Sequence, residues 1–70
     1  MKESGRLKEA LFESRPYVEY WDRLKETVEN LWNASRDEGE FLELLQKEIE
    51  KADEPFKTDL KIFLQKFEAL

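Results

Sequence analysis

The chain has no cysteine and no histidine among its 70 residues. Without cysteine there is no disulfide, no thiolate nucleophile and no sulfur-ligated metal, and the redox compartment is left open. Without histidine the usual general base near neutral pH and the commonest metal ligand are both missing. The two glycines, Gly5 and Gly39, lie too far apart to form a phosphate-cradling loop. No apolar run approaches the ~20 residues a membrane span needs, and no apolar leader stretch follows the first Met. The expectation is a soluble chain, cytoplasmic if natural, with no membrane and no cofactor.

What is present is charge and helix formers. Charged side chains make up 41% of the chain, the net charge is −5, and Glu (13) and Leu (10) dominate, both favourable in helices. Val18, Val28, Ile49 and Ile62 are scattered, so no stretch alternates in the manner of a strand. This length supports one domain over residues 1–70. A chain of this size buries only ~60% of its unfolded surface, which makes its core marginal.

The pattern predicts an all-α fold: a small antiparallel three-helix bundle with a short N-terminal helix, in segments 4–14, 16–33, 37–52 and 55–69. The short connections favour antiparallel neighbours. Pro16 and Pro55 suit first helical turns. At ~100° per residue, segment 16–33 gathers Tyr17, Val18, Tyr20, Trp21, Leu24, Val28, Leu31 and Trp32 into one wide apolar arc, with Lys25 at its edge. An arc that wide marks a central helix touching two neighbours.

Asp37 with Glu40, rather than Ser35 with Glu38, is the favoured capping box before the third segment. That segment turns Phe41, Leu42, Leu45, Ile49 and Ala52 to one side. The last places Phe56, Leu60, Phe63, Phe67 and Leu70 inward. The first segment presents Leu7, Ala10, Leu11 and Ser14, is too short to hold alone, and should pack on the central helix. Its first few residues should fray. A monomer is expected, with a hairpin completed by a second copy as the alternative.

Chemistry finds little purchase in this pattern. A catalytic carboxylate needs surroundings that tune its pKa, yet the acids fall on polar sides, Glu48 lying nearest an apolar arc. Residues 37–40 lack the ligand spacing of a calcium loop. Lys25 is the one amine near an apolar face, where a lysine stem usually lies flat with its charge in water. Neither an enzyme nor a metal site is expected.

Nucleic acid is disfavoured as well, because basic residues are scattered and the acidic excess sits in segment 36–54. Lys57, Lys61 and Lys66 read as a solvated flank. An acidic helix suits a basic protein surface instead.

Nine aromatics, two of them Trp, default to core, although interfaces also favour Trp and Tyr. Phe12, Leu44 and Ile62 do not fit the inward arcs, which makes them the candidate protein-contact residues. The stretch Glu40-Phe41-Leu42-Glu43-Leu44-Leu45-Gln46-Lys47-Glu48-Ile49-Glu50-Lys51 resembles the acidic second helix of the immunity proteins that inhibit nuclease colicins. The paired tyrosines and proline of that family's binding helix are absent, so its function is not carried over. The composition also looks like that of a designed helical bundle. Function is therefore expected to be a non-enzymatic protein-protein interaction module acting through a helix face. The alternative is a de novo designed scaffold with no evolved function.

Overall fold

The computed structural model describes residues 4–70, so the expected fraying of the first few residues falls largely outside it. Four helices follow one another: α1 (Gly5–Ser14), α2 (Trp21–Ala34), α3 (Glu38–Lys51) and α4 (Phe56–Ala69). A 3-10 turn at Arg15–Tyr17 follows α1 directly. No strand occurs among the described residues. The fold is the small all-α bundle that the sequence predicts.

Local chemistry sets most of the ends. The Ser4 hydroxyl accepts the Leu7 N–H at 3.1 Å and starts α1. Asp37 caps α3 by accepting the Glu40 N–H at 2.8 Å. Glu40 reaches back to the Arg36 N–H at 2.8 Å, one residue before the reciprocal partner of a standard capping box. Ser35, the rejected cap, is buried and donates its hydroxyl to the Leu31 carbonyl at 2.6 Å. Pro55 stands just before α4, and Glu54 supplies the capping carboxylate, accepting the Thr58 N–H at 2.8 Å.

The second helix departs from expectation. It starts at Trp21, not Pro16, and Val18 is extended. The reason lies 39 and 40 residues away. The buried Asp59 carboxylate accepts the backbone N–H of Tyr20 at 2.9 Å and that of Glu19 at 3.1 Å. A buried carboxylate that gains two charge-assisted bonds holds the preceding chain outside the helix. Tyr17 and Tyr20, expected inward, are 62% and 47% exposed as a result.

Nor is α2 the central helix. The last helix, α4, packs against α1, α2 and α3, and α1 rests mainly on α4. The stripe Phe56, Leu60, Phe63 and Phe67 is buried as expected, whereas Leu70, past the final turn, is 47% exposed. Trp32, Phe41, Phe63 and Phe67 form one ring cluster joining three helices. Trp32 meets Phe41 edge-on at 4.9 Å, and Phe63 stacks on Phe67 at 5.8 Å. Such pairs each add ~0.5–1.5 kcal/mol beyond the area they bury.

Arg6 ties the first helix to the end of the last. Its Nε and Nη2 donate to the Phe67 carbonyl at 3.2 and 3.0 Å, its guanidinium lies 4.3 Å from the Phe67 ring centroid, and Nη1 pairs with Glu38. A cation there reinforces a last-turn carbonyl that otherwise accepts only the Leu70 N–H, at 3.4 Å, and it complements the negative end of the helix dipole.

Candidate protein-binding face

The core-facing stripe of α1 is Leu7, Ala10, Leu11 and Ser14, with the Ser14 hydroxyl turned back to the Ala10 carbonyl at 2.7 Å. Phe12 is off that stripe and stands 72% exposed. Beyond it, Asp59 pins residues 19 and 20, so the chain between Arg15 and Tyr20 loops across the surface instead of continuing α2. Tyr17 is thereby presented beside Phe12.

These residues line two adjoining open grooves. The first, about 630 Å³, is bounded by Phe12, Tyr17, Pro16 and Lys66, with Glu13 and Arg15. The second, about 350 Å³, runs between α1 and α2 past Phe12, Leu11 and Trp21, with Lys8, Lys25 and Glu29 along it. Phe12 and Arg15 belong to both. Lys66 Nζ lies 4.7 Å from the Tyr17 ring centroid, and the Arg15 guanidinium 5.6 Å from that of Trp21. Cations over ring faces are held by the ring quadrupole while still reaching solvent.

The sequence candidates divide. Phe12 lies at the junction of the two grooves. Ile62 is half-buried on α4 and lines a separate shallow depression with Leu64, Lys61 and Gln65. Leu44 is half-buried on α3 and lines neither groove. The three do not form one surface through these grooves.

Another expectation shifts: Lys66 is half-buried against Tyr17 instead of standing on a solvated flank. Lys25 lies exposed beside Trp21, in keeping with a lysine at the edge of an apolar arc. Glu48, the acid nearest an apolar arc, pairs with Lys51 at 3.4 Å. Sequence reasoning passed over Asp59 and Arg15 as functional residues and turned Tyr17 inward. The signal for Asp59 was its spacing: three residues after Phe56 and four before Phe63, it falls on the buried face. Arg15 and Tyr17 carried no such signal.

At the α3–α4 connection, Glu54 also accepts the Thr58 hydroxyl at 2.7 Å. That bond, then the Thr58 amide bond, holds the Glu54 carboxyl below its ordinary pKa; Lys61 and Lys57 add to the lowering, and desolvation opposes it. Among the described residues no three His, Cys, Asp or Glu side chains group as a metal site would need, and no helix is long and apolar enough to cross a membrane.

No curated protein and no solved structure matches the chain. A family model does, over residues 4–70, which takes in all four helices and both sides of the grooves. The chain belongs to the MJ1579 family.

Proposed function

We propose that this chain is a non-enzymatic protein-interaction module whose contact face is the grooved surface around Phe12 and Tyr17. The observation that carries the reading is the side-by-side exposure of these two large aromatics, at 72% and 62%, along one groove. Large exposed side chains grouped at a concave surface mark contact sites, whereas scattered ones do not. Asp59, the one buried acid among the described residues, supports it further, because its two oxygens are taken up by backbone amides. A match along nearly the whole chain to a family favours an evolved role over a designed scaffold.

Photo-crosslinking tests the reading. A photoreactive phenylalanine analogue replaces Phe12 in one preparation and Ile62 in another, and both are irradiated in lysate from cells that carry the gene. The expected result is a discrete protein adduct from position 12 that is lost in a Tyr17→Ser background. Adducts from position 62 alone, or none from either position, overturn the reading.

A further inference from the structure

We propose that the occupant of this face is an acidic peptide segment carrying a large apolar side chain among its carboxylates. The proposal rests on the preceding reading of the face as a protein-binding surface and adds the chemistry of what binds there.

Charge supplies the argument. Lys8, Arg15, Lys25 and Lys66 come from α1, the 3-10 turn, α2 and α4, yet all line the two grooves. Glu13 and Glu29 are the acids there, so four cations face two carboxylates on a chain whose overall charge is −5. Among the described residues none of these four cations forms an ion pair, in contrast to Arg6, Arg36 and Lys51. The fold therefore sets four cations without a carboxylate partner, drawn from four separate elements, beside its most exposed aromatics. A carboxylate arriving there meets cations with no carboxylate to displace, two of them already seated over ring faces.

The apolar requirement comes from the rings. Phe12 and Tyr17 line the first groove, and Phe12, Leu11 and Trp21 line the second. An aromatic or aliphatic anchor seated between them removes that surface from water, and peptide carboxylates reach the surrounding cations.

Other polyanions fit less well. A nucleic-acid strand brings one charge per nucleotide and continues past the patch over a chain of net charge −5. An anionic membrane is flat, whereas the aromatics here line grooves with Glu13 and Glu29 among them. A second copy of the chain, offering its acidic α3, would make a head-to-tail contact that closes only for special rotations.

The test is selection of random twelve-residue peptides displayed on phage against the full chain, followed by titration of synthetic versions of the enriched peptides. Enriched sequences are expected to combine Asp or Glu with Trp, Phe or Leu. Their affinity should fall about tenfold or more in Phe12→Ser and in Arg15→Glu, fall less in Arg15→Lys, which keeps the charge but not the planar guanidinium, and weaken as salt rises. Leu44→Glu and Ile62→Glu should leave it within about twofold, since neither residue lines the grooves. Phe12 and Arg15 are exposed, so these variants keep the fold, and circular dichroism verifies it.

Enrichment of neutral or basic apolar peptides that still depend on Phe12 overturns the acidic occupant and leaves the module reading standing. Peptides lost in Leu44→Glu or Ile62→Glu but not in Phe12→Ser overturn both. Absence of any enrichment overturns the acidic occupant, while crosslinking at position 12 decides the reading beneath it. Arg15-dependent binding of oligo-dT or phosphatidylserine vesicles, or self-association abolished by Arg15→Glu, reassigns the face and overturns the proposal.

Discussion

Asp59 on α4 holds the backbone N–H of Tyr20 at 2.9 Å, 39 residues back along the chain. With the matching bond to Glu19 it decides where α2 begins and therefore how Tyr17 is displayed beside Phe12. Its removal should be costly, because two amides lose their acceptor in a partly buried place. Asp59→Ala is expected to lose about 2–4 kcal/mol, and Asp59→Asn, which keeps one acceptor oxygen, about half of that. Denaturant melts give the energies, and hydrogen exchange at the Tyr20 amide gives the local effect. An Asp59→Ala protein with an unchanged midpoint and a protected Tyr20 amide contradicts this account.

Arg6 is a second long-range clamp. Two of its nitrogens meet the Phe67 carbonyl, and the guanidinium plane lies near the Phe67 ring. A lysine cannot reproduce that fork. Arg6→Lys should therefore cost about 1–2 kcal/mol, nearly as much as Arg6→Ala. Glu38→Gln should cost at most about 1 kcal/mol, since that pair is partly exposed. Equal losses for Arg6→Lys and Glu38→Gln would move the clamp from the carbonyl to the ion pair.

Where the sequence was legible, the determinants were local. Asp37 before α3 satisfies an amide three residues on, and the spacing of Phe56, Leu60, Phe63 and Phe67 shows the buried side of α4 directly. The start of α2 was not legible, because it is fixed from another helix. On its own pattern Pro16–Asn33 continues as one helix, and only the tertiary bonds from Asp59 end it short. The basic, aromatic face was hidden for the same reason. Lys8, Arg15, Lys25 and Lys66 look scattered along the chain and converge only through packing. Of the contact candidates, Phe12 stood out as an apolar residue off its stripe, and that signal was local too.

The core separates two aromatics that the helical wheel placed alike. Phe63 is fully buried and touches Phe41 and Phe67, while Trp21 is half-buried at the first turn of α2. Phe63→Ala leaves a cavity among rings and should cost about 3–5 kcal/mol, comparable with the whole stability of a domain this small. Trp21→Ala removes a side chain with water already on one side and should cost about 1–2 kcal/mol. Thermal melts of both variants check the ranking. Equal losses would place Trp21 in the core after all.

Acid should act on the α4 start through Glu54. Its carboxylate accepts both the hydroxyl and the amide of Thr58, which favours the ionised form in the folded state and lowers the folded pKa below the unfolded value. The sign follows from linkage: the stabilisation is present above the unfolded pKa and is lost as pH falls through the folded one. Glu54→Gln should thus melt below the wild type at neutral pH and converge with it as pH falls through the lowered Glu54 value, under the ordinary glutamate range. Thr58→Ala, which removes the hydroxyl, should move the Glu54 titration back up. Carboxyl-carbon NMR of Glu54 in the wild type and in Thr58→Ala reads that shift directly. A Glu54 titration at or above the usual glutamate value, or a melting difference that does not change with pH, would remove Glu54 as the cap of α4.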